Sequence, residues 1–257
     1  MADWDPGHYR RFVGERSRPY AELVTRIHAV DPERVVDLGC GSGELTASLR
    51  QLWPAAEILG VDSSAAMIAE ATSITGDGHL HFLERDLRNW RPDDGTDVIV
   101  SNAALQWLPE HRALLPGFVE RLSPGGWLAF QVPGNFTAPS HLLLHELADT
   151  EPYATYTTGL PRPASAEPME YLADLTAMGC QVDVWETTYL HVLSGPDPVF
   201  TWISATGARP ILQALPDDLR QIFETEYKRL LRETYPEQPH GTVLPFRRIF
   251  VVAQVQR

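Results

Sequence analysis

Between residues 34 and 136, segments with a strand-like pattern of apolar residues alternate with segments that have a helix-like pattern. Short runs rich in β-branched residues predict buried strands, and the stretches between them carry apolar residues at helical spacing. Two similar apolar runs occur later in the chain. The predicted strands cover residues 34–38, 57–61, 80–84, 97–101, 127–133, 182–192 and 249–255.

Helical patterns follow the first two strands. Leucines on one face predict a helix over residues 44–52, and the N-cap candidates Ser63 and Ser64 precede a second helix over 65–71. Strands that alternate with helices are typical of parallel sheets. We therefore predict an α/β fold with a doubly wound, seven-stranded, mostly parallel sheet of the Rossmann-like type.

Two longer insertions interrupt this pattern late in the chain. One contains helix candidates at 140–150 and ending at Ala177, and the other has apolar residues at helical spacing. In the second insertion these residues are Leu219, Ile222, Phe223, Tyr227, Leu230 and Leu231. We expect a single domain over residues 1–257. Its core is predicted at 30–136, 180–193 and 247–257, and a helical cap at 1–29, 137–179 and 194–246.

The composition is that of an ordinary globular protein, with 44% hydrophobic residues and a formal net charge of −13. Such a charge repels phosphate backbones and anionic lipids, so we expect neither a nucleic-acid nor a membrane partner. No apolar run is long enough to span a bilayer, and the polar start does not resemble a signal peptide. Cys40 and Cys180 form no CxxC pair. These features predict a cytoplasmic protein with reduced cysteines.

The sharpest motif is the glycine-rich turn Asp37-Leu38-Gly39-Cys40-Gly41-Ser42-Gly43, placed where a strand passes into a helix. Glycine permits the tight turn and the close approach of a ligand. A dinucleotide fingerprint would require glycine where Glu44 stands, and no Gly-Lys-Ser/Thr follows for a P-loop. The turn therefore disfavours NAD, FAD and nucleoside triphosphates.

This turn resembles the first motif of class I S-adenosylmethionine-dependent methyltransferases. The resemblance implies that the loop holds the amino-acid and ribose parts of that cofactor. Asp62, at the end of the second strand, is then expected to accept the ribose hydroxyls, with Asp86 at the adenine amino group and Leu87 against the ring. Asp37 either fixes the loop or contacts the methionyl amine through water. The expected cofactor residues are Arg18, Asp37, Gly39, Cys40, Gly41, Asp62, Ser63, Met67, Asp86, Leu87, Asn102 and Ala103.

The end of the fourth strand lacks the Asn/Asp-Pro-Pro-aromatic tetrad of amino-methyltransferases that act on flipped DNA bases. A small-molecule substrate is therefore the better hypothesis. Further segments are distributed over the whole chain: Trp4-Asp5-Pro6, Tyr9, Phe12, Glu15-Arg16-Ser17-Arg18-Pro19, Asp62-Ser63-Ser64, Ser101 to Pro109, Val182 to Tyr189 and Pro245 to Phe250. Together they resemble the trans-aconitate methyltransferase family. The resemblance implies transfer of a methyl group to a carboxylate of trans-aconitate, giving the monomethyl ester.

A carboxylic acid is already ionised at neutral pH, so this reaction needs no general base. It needs instead cations that hold a polyanion in line with the transferred methyl group. Arg247 and Arg248 are adjacent in an extended stretch and point to opposite sides, so one of them is expected to face the pocket and the other solvent. Arg248 is our choice for the pocket. Either Arg16 or Arg18 binds the carboxylate of the cofactor's methionine or pairs with surface acids. The expected substrate residues are Arg16, Gln106, Trp107, His111, Asn135 and Arg248.

Three alternatives remain open from the sequence. In the first, the methyl acceptor is another small carboxylic acid. In the second, the acceptor is a neutral metabolite in a binding site that aromatic residues of the insertions line. In the third, the chain binds the cofactor but catalyses no reaction. Tyr153, Tyr156, Tyr171 and Trp202 are the aromatic residues concerned. His141 and His145 lie at helical spacing, but no acid or cysteine completes a ligand set, and we expect no metal. The oligomeric state is left undetermined.

Overall fold

The computed structural model describes residues 13–74 and 78–256, with side chains from Ser17 onward. One seven-stranded sheet organises the fold, in the order β3-β2-β1-β4-β5-β7-β6. Its strands are β1 Arg34–Leu38, β2 Glu57–Asp62, β3 Leu80–Glu84, β4 Thr96–Asn102, β5 Leu122–Pro133, β6 Cys180–Leu193 and β7 Thr242–Val255. The pairs among β1 to β5 are parallel, and β7 runs antiparallel to β5. This architecture confirms the predicted fold class.

Ten α-helices lie in the described part of the chain, together with one 3₁₀ turn at Leu105–Trp107. They are α1 Val13–Val24, α2 Glu44–Leu52, α3 Ala65–Ala71, α4 His111–Val119, α5 Pro139–Ala148, α6 Ala154–Thr157, α7 Pro168–Ala177, α8 Pro198–Ser204, α9 Arg209–Ala214 and α10 Asp217–Thr234. Helices α2 and α3 have the predicted bounds. Of the two N-cap candidates, Ser64 caps α3, since its Oγ accepts from the Met67 N–H at 3.4 Å.

Contacts divide the chain into two compact units. The sheet unit contains residues 13–133, Ser165–Thr187 and 248–256, and the helical unit contains Gly134–Ala164 and Thr188–Arg247. This division differs from the predicted cap, which included residues 13–29 and 165–179. The reason is packing: Tyr171 and Leu175 of α7 are fully buried within the hydrophobic core of the sheet unit.

The core of the sheet unit lies between its central strands and the helices α4 and α7. Leu38, Ile99 and Leu128 are fully buried on β1, β4 and β5. Tyr171 packs edge-on against Phe130 with ring centroids 5.2 Å apart. Burial of these apolar side chains is the main stabilising term of the unit and fixes the ends of the strands that precede the site.

The helical unit has its own core, formed largely by α5 and α10. Phe223, Tyr227 and Leu231 are buried on one face of α10, whereas Ile222 is exposed. The predicted helical spacing therefore holds, although one of its members faces solvent. The Tyr227 hydroxyl donates to the carbonyl oxygen of Ser140 at 2.7 Å, which ties α10 to the start of α5.

None of the helices in the described ranges is both long enough and apolar enough to pass through a membrane.

Candidate functional site

The glycine-rich loop connects the carboxyl end of β1 to the start of α2. Gly39 and Gly41 both have positive φ, at 76° and 55°. A Cβ on Gly39 would lie 2.1 Å from the Cβ of Ala104, so Gly39 is needed for packing against the chain after β4. A Cβ on Gly41 would have no atom within 4 Å, so the backbone there borders open space into which a ligand could approach.

Asp62, the last residue of β2, connects this loop to the next one. Its carboxylate accepts from the Gly41 N–H at 3.0 Å and from the Ser64 N–H at 2.9 Å. Burial raises the pKa of this carboxyl, and the backbone hydrogen bonds oppose that shift. A carboxylate has about four acceptor positions, so two backbone donors leave capacity for the hydroxyls of a ligand.

Asp37 is buried beneath the loop and accepts a 2.6 Å hydrogen bond from the Thr46 hydroxyl of α2. Burial raises the pKa of the Asp37 carboxyl to about 7, the Thr46 hydrogen bond lowers it, and the charge of Asp62 raises it further. The pKa of the buried Tyr20 hydroxyl is raised by burial and then by Asp37 and Cys40. That hydroxyl has no hydrogen-bond partner within the described residues. Sequence reasoning did not identify Tyr20 as a neighbour of Asp37, because no motif in α1 distinguishes it.

Cys40 is buried in the loop, and burial, followed by the charges of Asp37 and Asp62, raises the pKa of its thiol far above the ordinary value. Such a thiol is not nucleophilic at neutral pH.

Beyond β3, Asp86 forms a fork with Arg88, a partner that sequence reasoning did not identify. Arg88 Nε lies 3.0 Å from both carboxylate oxygens of Asp86, and these bonds hold the pKa of Asp86 below its usual range. Leu87 is buried beside this pair. Asp86 therefore arrives at the expected strand end, already oriented by an exposed arginine.

The carboxyl end of β4 carries a strained residue and unsatisfied polar atoms. Ala103 has φ 53°, an uncommon conformation for a residue with a Cβ. Gln106 is buried, and its Nε2 donates to the Ala103 carbonyl at 2.5 Å. Within the described residues, Asn102 Oδ1 and Gln106 Oε1 are buried without a hydrogen-bond partner. Buried polar atoms are nearly always paired in proteins, so these two acceptors indicate a ligand with hydrogen-bond donors.

Arg248 lies at the start of the sheet-unit part of β7, in register with Pro133 at the end of β5. It is 5% exposed, and its Nη1 donates to Gln131 Oε1 at 3.0 Å. Arg247 is half-buried, and its Nη1 contacts the Gly134 carbonyl at 3.3 Å within the helical unit. The buried guanidinium is thus that of Arg248, the one selected from the sequence.

His111, expected at the substrate, is instead built into the core of the sheet unit. Its Nδ1 lies 2.9 Å from the Leu108 carbonyl oxygen, and its Nε2 lies 2.7 Å from the Tyr171 hydroxyl. Burial lowers the pKa of the imidazole. With both ring nitrogens bonded inside the protein, His111 offers no free donor and no cation to a carboxylate, and we withdraw it from the substrate residues.

The remaining predicted residues take varied places. Arg18 is exposed on α1 and pairs with Glu22 at 2.8 Å, and Ser63 is exposed after β2. Met67 is buried on α3, and Trp107 is half-buried in the 3₁₀ turn. Asn135 is buried in the helical unit, and its two amide atoms have no hydrogen-bond partner in the described chain. The side chain of Arg16 lies outside the described residues.

Of the six aromatic and histidine candidates in the insertions, four are buried and His145 is half-buried. Tyr171 bonds His111, Tyr153 packs edge-on against Phe223, and Trp202 contacts His191. His141 is buried and burial lowers its pKa to about 4, whereas Tyr156 is exposed. These contacts do not favour an aromatic-lined site for a neutral metabolite.

The carboxyl edge of the sheet fits the cofactor that the glycine-rich loop implies. Open space borders Gly41, Asp62 retains acceptor capacity, and unpartnered acceptors follow at Asn102 and Gln106. The carboxyl groups of Asp37 and Asp62, at the ends of β1 and β2, suit a ligand with a sulfonium and an ammonium group. In open parallel sheets, ligands bind outside the carboxyl ends of the strands, as here.

Comparison with known proteins agrees with this geometry. A protein family described as a methyltransferase domain matches residues 9–173. The trans-aconitate 2-methyltransferase of Streptomyces coelicolor is 49% identical, in an alignment that covers 98% of this chain and 86% of that protein. The enzyme of the same name from Rhodococcus jostii is 48% identical, in an alignment that covers 98% of this chain and 100% of that protein.

Solved structures share the fold at lower sequence identity. The YcgJ protein from Bacillus subtilis superposes with a TM-score of 0.60 at 15% identity, covering 94% of this chain and 99% of that one. An S-adenosylmethionine-dependent methyltransferase from Mesorhizobium loti gives a TM-score of 0.54 at 21% identity, with coverages of 91% and 96%. The relatives that align over nearly the whole chain identify the family more specifically than the shared fold does. The chain belongs to the trans-aconitate 2-methyltransferase family of methyltransferase-domain proteins.

Proposed function

We propose that this protein transfers the methyl group of S-adenosylmethionine to a carboxylate of trans-aconitate and forms its monomethyl ester. The observation that carries the proposal is the near-complete alignment, at 49% identity, with a trans-aconitate 2-methyltransferase. The buried guanidinium of Arg248 at the carboxyl edge of the sheet supports it, because an arginine fork binds a carboxylate in two-point contact.

The cofactor would be held by the loop Gly39–Gly43, by Asp62 and by Asp86 with Leu87, and it supplies an electrophilic methyl group when bound. Asp62 accepts hydroxyl donors while the Gly41 and Ser64 amides hold it in place. Asn102 Oδ1 and Gln106 Oε1 are proposed to accept the remaining donors at the end of β4.

The residues of this chain act on the acceptor by binding and orientation. No residue has to remove a proton, because the nucleophilic oxygen is already ionised at neutral pH. Arg248 is proposed to hold a carboxylate so that an oxygen approaches the methyl group in line. Asn135 remains a proposed hydrogen-bond donor to the substrate, since its buried amide has no partner in the described chain.

We propose that the enzyme acts in the cytoplasm, a proposal with which the buried Cys40 and Cys180, neither of them in a disulfide, are consistent. Its partner is a small anion. We further propose that Arg18, or Arg16, binds the carboxylate of the cofactor's methionine.

The test is transfer of labelled methyl groups to a panel of acids. The panel contains trans-aconitate, cis-aconitate, citrate, isopropylmalate and a fatty acid, with a neutral phenol as the control acceptor. We expect base-labile label, released as methanol, on trans-aconitate in preference to the others. Binding of S-adenosylhomocysteine without label on any acid would contradict the proposal and direct the search to neutral acceptors.

A further inference from the structure

The antiparallel pairing of β5 and β7 brings Gln131 and Arg248 onto one face of the sheet. Gln131 stands opposite Phe250, and Arg248 lies two residues before Phe250 on β7. Residues two apart on a strand point to the same face, and side chains diagonal across an antiparallel pair are within reach of each other. The register, rather than a loop, therefore sets this contact.

The hydrogen bond between the two side chains determines how the Gln131 amide is oriented. A guanidinium has donors only, so the amide must present its oxygen to Nη1 of Arg248, as observed at 3.0 Å. Gln131 is fully buried, and its Nε2 has no hydrogen-bond partner within the described chain. The contact with Arg248 therefore leaves a buried N–H donor whose acceptor the described residues do not supply.

The chemical type of Gln131 is significant beside an arginine. Exposed arginines of this acidic chain are paired with carboxylates, as Arg112 is with Asp174 at 2.7 Å and Arg232 with Asp197 at 2.6 Å. Gln131 holds the Arg248 guanidinium with an equally directional acceptor that brings no negative charge. A carboxylate in the same place would compete with any anionic ligand for that guanidinium.

We propose that Gln131 is a positioning residue that sets the specificity for an anionic acceptor. Its amide oxygen accepts from Arg248 and adds no negative charge beside it, and the Nε2–H donor of the same amide favours a ligand that brings an acceptor oxygen. This inference rests on the proposed function, which supplies the carboxylate that Arg248 binds. Neither the glycine-rich motif nor the comparisons assign a role to Gln131.

The test compares Gln131→Glu and Gln131→Met with a matched control, Gln254→Glu. Gln254 lies on β7 opposite Trp127, in the middle of β5 and six residues along β7 from Arg248. Gln254→Glu therefore adds the same charge to the same sheet, away from Arg248. For Gln131→Glu we expect the KM for trans-aconitate to rise about 10- to 100-fold, because like charge beside an anion site is strongly unfavourable. Gln131→Met should raise KM less, since it removes the orientation but adds no charge.

Three readouts separate this role from a merely structural one. The dissociation constant of S-adenosylhomocysteine, measured by calorimetry, should stay within about twofold in all variants. The KM penalty of Gln131→Glu, relative to wild type at the same pH, should shrink as the pH falls and the introduced carboxyl takes up a proton. Gln254→Glu should leave both constants unchanged.

Each outcome is decisive. Methylation of trans-aconitate by the wild type with an unchanged KM in Gln131→Glu would overturn this inference and leave the proposed function standing. A parallel loss of S-adenosylhomocysteine affinity in both Gln131 variants would overturn it as well, because it would indicate a purely structural role. If the wild type neither binds nor methylates any acid, the proposed function fails and this inference fails with it.

Discussion

Two regions at the carboxyl edge of the sheet differ in charge. The ends of β1, β2 and β3 carry three carboxylates, Asp37, Asp62 and Asp86. The ends of β4 and β5, with the facing part of β7, carry neutral amides and the buried Arg248. The first region, which we call the acidic region, suits a cationic cofactor, and the second, the amide–arginine region, suits an anionic acceptor. We propose that a protein with a net charge of −13 takes up both reactants because the opposite charges lie on different strands.

The largest expected effect comes from removing the cation of the amide–arginine region. Arg248→Ala should lower kcat/KM for trans-aconitate by at least about 30-fold, the equivalent of roughly 2–5 kcal/mol for a buried charged contact. The affinity for S-adenosylhomocysteine should not change. Steady-state kinetics beside calorimetry measure the two separately. Arg121→Ala is the control, because its exposed pair with Asp94 contributes little. Unchanged kinetics in Arg248→Ala would contradict the proposed difference in electrostatic role between the two regions.

A reciprocal effect should follow from changing the acidic region. Asp62→Asn should weaken S-adenosylhomocysteine about 10- to 100-fold, since hydrogen bonds to a charged group contribute roughly 1.5–3 kcal/mol. The KM for trans-aconitate at saturating cofactor should remain close to that of the wild type. Asp183→Asn is a matched exposed control. A variant that loses acid affinity and keeps the cofactor would reverse the assignment of the two regions.

Two glycines of the loop should separate folding from binding. Gly39→Ala meets the Ala104 side chain and should lower the melting temperature, whereas Gly41→Ala has open space around it. For Gly41→Ala we expect a folded protein that loses roughly 1–2 kcal/mol of stability to left-handed backbone strain. The added Cβ should reduce cofactor affinity about 5- to 30-fold, because it occupies the open space beside the loop. Thermal unfolding and calorimetry on both variants test this. Normal cofactor binding by Gly41→Ala would show that the ligand does not approach there.

The smallest expected effect is a pH dependence from Asp37, whose pKa is raised to about 7 by burial. Between about pH 4 and 7 the folded chain keeps a proton that the unfolded chain releases, so this group makes folding less favourable as the pH rises through that window. A bound cation favours the ionised form. The affinity for S-adenosylhomocysteine should therefore increase by at most about tenfold from pH 6 to 8. Asp37→Asn should abolish this increase, and an unchanged slope in that variant would contradict the assignment.

Local sequence was sufficient for the acidic region. The glycines, Asp37, Asp62 and Asp86 follow consecutive strands within one stretch of chain, so their common edge follows from the rules for parallel sheets. The partner of Asp86 was missed, because Arg88 carries no motif. Tyr20 was missed as well, since its approach to Asp37 depends on how α1 packs.

The second region was only partly predictable. The alternation of side chains indicated that Arg247 and Arg248 face opposite sides but not which of them is buried, and the contact of Arg248 with Gln131 joins residues 117 positions apart. His111 shows the converse error. Its residue type and position after β4 indicated a substrate contact, yet α7 supplies the Tyr171 hydroxyl that completes its hydrogen bonds. The placement of α7 with the sheet, rather than in a cap, is the reason for this difference.

The sequence by itself determined the fold class, the glycine-rich loop and the acidic strand ends, because these depend on periodicity and on backbone needs that neighbouring residues carry. Tertiary structure decided which polar groups are satisfied and which remain available. Whether a polar group is buried and has a hydrogen-bond partner depends on residues that strand register and helix packing bring together from distant parts of the chain. The orientation of Arg248 by a neutral amide is such a property, and it arises only when β7 pairs antiparallel to β5.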